Sequence, residues 1–137
     1  EIGWNDRMPN INAALGLAQL EKLEERLFLK KKLFNNYKNA FMRINELEMI
    51  EPIERTISNN WLISIRLLVE DSNALFSSRN EIINLAHEKK IFLRPAWKLL
   101  NELPMYRKNP SQNTIIAREE VYRIINLPSS PQILNNE

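Results

Sequence analysis

The sequence predicts an α+β domain, with a long N-terminal helix followed by a small antiparallel or mixed sheet covered by helices. Three observations carry this. Leu20, Leu23, Leu27, Phe34, Tyr37 and Phe41 recur at spacings of three, four and seven, the stripe of one amphipathic helix. Between residues 61 and 69, Trp61, Ile63, Ile65, Leu67 and Val69 alternate with Leu62, Ser64, Arg66 and Leu68, the period of a strand. Only 2 glycines and 8% aromatics in 137 residues argue against a barrel or a turn-rich sandwich. The order of long helix, strand, strand, helix, strand, helix then favours a two-layer sandwich.

Taken in order, the first helix is expected from about Pro9 to Arg43. Pro9 suits a first helical turn, where its missing N–H costs nothing. Ile11, Leu15 and Ala18 with Gly16 form a small-residue surface fit for close packing. Lys30, Lys31 and Lys32 read as a solvated turn of this helix. Residues 46–57 read as a loop holding a short strand from Met49 to Ile53, and Trp61 to Val69 is the clearest strand. Ser78-Arg79-Asn80-Glu81 has the spacing of a capping box and predicts a helix whose buried side is Ile82, Leu85 and Ala86. Ile91 to Leu93 gives a third strand, ended by Pro95. A last helix is expected from Ile116 to Ile124 with Val121 and Ile124 inward, and Asn126 to Pro131 is expected to be irregular.

Composition narrows the function. The net charge of +2, from 19 basic and 17 acidic residues, gives no clustered basic face, so no nucleic-acid partner is expected. With no cysteine, disulfides and thiolate zinc sites are excluded, which fits a cytoplasmic protein. No apolar run approaches the roughly 20 residues that span a bilayer, so no membrane partner is expected. His87 stands alone, without a second histidine or any cysteine, and a solvated position suits it better than metal ligation.

Two stretches carry chemistry. In Gly3-Trp4-Asn5-Asp6-Arg7-Met8-Pro9, Asn5 and Arg7 offer an amide and a guanidinium just ahead of a helix start. Together with free backbone N–H groups they suit a phosphate or carboxylate, or else they simply cap and brace the helix. In Arg94-Pro95-Ala96-Trp97, an arginine at a strand end precedes an extended proline segment and an aromatic ring. That pattern suits an anionic or sugar substrate through charge and stacking; structural bracing is the alternative.

Five blocks add a resemblance. Residues 3–23, Asn60-Trp61-Leu62, Arg94 to Leu100, Leu103-Pro104-Met105-Tyr106 and Ile125 to Ser130 stand in the order found in DegT/StrS-type nucleotide-sugar aminotransferases. These are pyridoxal-phosphate (PLP) enzymes of fold type I. The resemblance implies the small C-terminal domain of such an enzyme, with residues 1–43 as interface loop and linking helix and residues 44–137 as the small α+β domain. It implies a parent homodimer that moves an amino group, from glutamate, to a 4-keto-6-deoxy nucleotide sugar for surface-polysaccharide amino sugars. Asn5 matches the asparagine that reaches the cofactor phosphate of the other subunit, and Arg7 borders that site. Arg94 and Trp97 are the substrate-side candidates. The Schiff-base lysine lies upstream of these blocks in the family, so the upstream cofactor domain is expected to be missing and the chain alone to be inactive and without PLP. Three departures stand out: Asp6 and Asn60 where the family has an aromatic residue, and Asn101 where it has histidine. The rival reading is a non-catalytic small-domain or dimerisation module.

Overall fold

The computed structural model describes residues 7–69 and 71–136. Two helices come first, α1 (Asn10–Leu20) and α2 (Leu23–Phe41), followed by strands β1 (Leu47–Met49) and β2 (Ile63–Leu67). Helix α3 (Ser72–Glu88), strand β3 (Arg94–Pro95), helix α4 (Ile115–Arg123) and strand β4 (Ile124–Leu127) complete the order, with short 3-10 turns at Leu100–Glu102 and Pro131–Asn136.

The four strands form one sheet in the order β1-β2-β4-β3, and every neighbouring pair is antiparallel. Ile63 stands opposite Leu127 and Ile65 opposite Ile125. Side chains of paired residues share a face, and successive residues alternate faces. One face therefore collects Ile63, Ile65, Leu67, Ile125 and Leu127, which meet Leu33 and Phe34 of α2, Ile83 of α3 and Leu93 in a single core. The opposite face is polar. There Ser64 Oγ donates to Asn126 Oδ1 at 2.7 Å, and Arg66 pairs with Glu120 of α4 through two bonds of 2.7 Å each.

The expected long helix is divided. Lys22 leaves the helical region (φ −103°, ψ 8°), its N–H bonds to Gln19 O, and Arg26 reaches back across the junction to the Gln19 side chain. Nothing in α1 is buried, so no packing holds the two helices in one line. The apolar stripe is accordingly split: Leu20 and Leu23 are exposed, Phe34 is buried, and Tyr37 and Phe41 pack against the core.

Three further expectations are corrected. Strand β1 lies at Leu47–Met49, earlier in the chain than Met49 to Ile53. Helix α3 begins at Ser72, so the Ser78-to-Glu81 box lies inside it. Asp71, Ser72 and Asn73 are themselves residue types that favour helix starts, and the earlier start lines up Leu75, Arg79 and Ile83, one turn apart, as the buried side. Ile82 and Leu85 are exposed instead. Most consequential, the segment expected to be irregular from Asn126 begins inside β4, a central strand in which Ile125 is 0% exposed. Pro128 follows that strand directly, where it removes no ladder hydrogen bond.

Because Ile125 is fully enclosed, Ile125→Ala should cost about 2–5 kcal/mol of stability through lost burial and the cavity left behind. Leu15→Ala, on exposed α1, should stay within about 0.5 kcal/mol. Urea denaturation of the two variants checks the contrast.

The Arg66 guanidinium holds the Glu120 carboxyl below its ordinary value of 4.5, and Arg123 adds to the effect. The folded value lies below the unfolded one, so this stabilisation is present above pH 4.5 and disappears as pH falls through the folded value. Stability profiles of the protein and of Glu120→Gln should therefore converge in acid and separate above that value.

Candidate functional site

The sequence-predicted residues fall in two places. Asn5, with Gly3 and Asp6, lies outside the described residues. Arg7 is exposed just ahead of α1, whose N-cap is Pro9 and whose first turn no side chain caps. The other cluster lies near the polar face of the sheet. Arg94 in β3 stands opposite Asn126, itself opposite Ser64, so all three share one row across the sheet. Asn126 Nδ2 donates to Pro95 O at 3.3 Å, tying the Arg94-Pro95 segment to the central strand. Arg94 is exposed.

Trp97 and Trp61 come together, their ring centroids 6.0 Å apart and their planes tilted by 32°. They are 70% and 65% exposed, so Trp61 does not join the inward row of Ile63 and Ile65 that its alternation predicts. The turn before Trp61 explains this. Asn60 has a φ of +48°, which asparagine tolerates better than the aromatic residue of the resembling family. Asn59 Oδ1 accepts the Trp61 N–H at 3.0 Å, closing a local side-chain turn that leads the ring away from the core.

Beneath this turn lies a residue that sequence reasoning misplaced. Lys30 is half-buried, and its ammonium donates to Asn60 O (3.2 Å), Trp61 O (3.2 Å) and Ser129 O (2.8 Å). Burial lowers its pKa from the usual lysine value. Ser129 Oγ accepts the Ile63 N–H at 2.8 Å, and Tyr37 donates to Pro128 O at 3.0 Å. The segment after β4 is thus tied to α2 and to the start of β2. The available signal was the stripe itself: Lys30 stands at the vacant helical position between Leu27 and Phe34, where a cation facing inward needs acceptors.

Of the remaining candidates, Asn101 donates to Thr114 Oγ1 at 3.3 Å and to Ser111 Oγ at 3.4 Å, bracing the loop after β3. His87 is exposed, with Nε2 2.8 Å from Leu93 O. Among the described residues no group of three His, Asp or Glu could hold a metal, and no helix is long and apolar enough to cross a membrane. No hydrogen bond, ion pair or ring contact links Arg7 to Arg94 or to the tryptophans among the described residues.

A four-stranded antiparallel sheet covered by helices is a domain of the α+β class. The chain belongs to the DegT/DnrJ/EryC1/StrS aminotransferase family, which it matches over residues 1–137. GDP-perosamine synthase of Escherichia coli O157:H7 is 32% identical over 137 residues, covering 99% of this chain and 35% of that protein. Among solved structures, Helicobacter pylori PseC, an aminotransferase involved in the biosynthesis of pseudoaminic acid, has the same fold (TM-score 0.83, 22% identity, 96% of this chain and 34% of that one). So has Streptococcus pneumoniae Spr1654 in its PLP form (TM-score 0.76, 23% identity, 90% of this chain and 31% of that one). The chain spans about a third of the length of these relatives.

The Lys30 contacts give a direct test of how the tryptophan pair is held. Lys30→Met should keep the helical content of the protein while loosening the 60–61 turn. A drop in the near-UV dichroism of the tryptophans, with the far-UV signal unchanged, is the expected result.

Proposed function

We propose that this chain is the C-terminal portion of a cytoplasmic, PLP-dependent aminotransferase that moves an amino group from glutamate to a 4-keto-6-deoxy nucleotide sugar, for amino sugars of surface polysaccharides. The observation that carries the reading is the exposed Arg94 with the Trp61–Trp97 pair, in a chain that matches an aminotransferase family along its whole length. Rings of that kind stack on a sugar or a base, and an exposed guanidinium three residues before Trp97 in sequence can pair with an anion.

The residues at the start of α1 fit the phosphate of PLP. Arg7 is an exposed planar donor, and the first-turn amides of α1 have no side-chain cap. Asn5 and Arg7 would hold that phosphate, in the reading from the other subunit of a homodimer. PLP, where bound, supplies the electron sink for amino transfer. The Schiff-base lysine would come from the part of the enzyme that precedes this chain, so the chain alone is inactive. What its residues contribute is binding and orientation: Asn5 and Arg7 at the phosphate, Arg94 and Trp97 at the substrate. Homodimer formation is supported by α1, where Ile11, Leu15, Leu17 and Leu20 are all at least 60% exposed. Apolar side chains gathered on one exposed helix mark an interaction surface.

In the full-length enzyme, Asn5→Ala and Arg7→Ala should each weaken PLP binding by about 1–3 kcal/mol, the cost of removing one partner of a buried polar contact. The thermal midpoint of the cofactor-free form should not move. If both variants lose only that stability and bind PLP normally, the two residues brace the helix and the reading of the site fails. The chain alone, incubated with PLP, should retain no glutamate-sensitive cofactor absorbance after dialysis.

A further inference from the structure

Among the described residues Arg79 is the one charged side chain that the fold buries: it is 6% exposed, inside α3. Its guanidinium lies between two rings, 5.2 Å from the centroid of Phe76 and 5.3 Å from that of Tyr122. Nη1 donates to Val121 O at 3.0 Å, while Nη2 and Nε donate to Asn80 Oδ1 at 3.0 and 3.3 Å. These acceptors are neutral, and no carboxylate among the described residues forms an ion pair with Arg79. Burial accordingly lowers its pKa. A guanidinium carries five N–H donors, and the described residues engage three of them.

Arg79 lines a cavity of about 730 Å³ between α3, α4 and the segment that follows β3. That size lies within the range of small-molecule sites, about 300–1,000 Å³. Lys98 and Arg107, both exposed, line the same cavity. Among the described residues the single carboxylate in the lining, Glu102, is engaged by Arg118 at 3.0 Å. Three cations therefore face one acid that already has a partner. Burying a cation among neutral acceptors is costly, and an anion entering the cavity would offset that cost.

We propose that this cavity binds a phosphoryl anion, with Arg79 as its floor and Lys98 and Arg107 as its rim. The planar donor geometry of Arg79 suits a phosphate, and the two rim cations add charge where solvent enters. The ligand chemistry is shared by free phosphate or pyrophosphate and by the phosphates of a nucleotide. The site is separate from the tryptophan pair and needs no cofactor, so its test does not depend on amino transfer.

The experiment titrates the 137-residue chain with pyrophosphate, followed by calorimetry and by the NMR signal of the Arg79 Nε–H. Saturable binding near about 1 mM or tighter, with a shift of that signal, is the expected result. The exposed rim variant Lys98→Ala/Arg107→Ala, whose folding the core does not depend on, should weaken binding at least about tenfold, or 1.4 kcal/mol. GDP serves as the second probe: tighter binding than pyrophosphate assigns a nucleotide, and equal or weaker binding assigns the free anion. Absence of saturation, an unmoved Arg79 signal, or equal affinity in the rim variant would overturn the proposal.

Discussion

The pairing of β2 with β4 is the constraint on which the rest of the structure depends. It joins residues 63–66 to residues 124–127, and its register decides which side chains form the core. With Ile63 facing Leu127 and Ile65 facing Ile125, all four point to the side occupied by α2 and α3. A slip of one residue would send Ser64, Arg66 and Asn126 inward instead. Such a slip would strand Arg66 away from Glu120 and leave buried polar groups without partners, so core and polar face enforce the same alignment.

The candidate surface follows from that alignment. Asn126 can hold Pro95 and meet Ser64 only because β4 lies between β2 and β3. The chain leaving β4 then passes Tyr37 and Lys30, which engage the carbonyls of Pro128 and Ser129. Lys30 also holds the carbonyls of Asn60 and Trp61, so the same ammonium braces the exit of one central strand and the approach to the other. The tryptophan pair stands on this frame. Its rings are exposed while the backbone beneath Trp61 is fixed, an arrangement that presents aromatic surface at low entropic cost.

The fold class, the fully alternating strand from Ile63 to Leu67 and the Phe34–Tyr37–Phe41 stripe were legible because each repeats a single period over several residues. Short elements were not. Strand β4 has four residues and follows α4 with no intervening turn, so Ile124 reads equally well as the last inward position of a helix. The start of α3 was ambiguous because two polar clusters, at 71–73 and 78–81, carry helix-start chemistry, and tertiary burial of Leu75 and Ile83 decides between them. Lys30 and Arg79 escaped for a common reason: periodicity treats a cation as an outward residue, whereas a neighbouring set of carbonyls or rings accommodates it inside. Of the candidate site, the pairing of Trp97 with Trp61 required coordinates, since residues 36 apart in sequence meet only through the strand order.

That strand order also governs how the chain can assemble as it is synthesised. The interior strand β4 is the last of the four to leave the ribosome, whereas β1 and β2 emerge well before it. Until β4 arrives, β2 has a partner on one side only, and its open edge displays Ile63, Ile65 and Leu67 without their cover. Helix formation in α2 and α3 is local and can proceed early, but the sheet closes through contacts some sixty residues apart. The nascent protein therefore passes through the synthesis of α3, β3 and α4 with its stickiest strand half paired. Chaperone capture during translation would act on that interval, and slower synthesis of the α4–β4 segment would lengthen it.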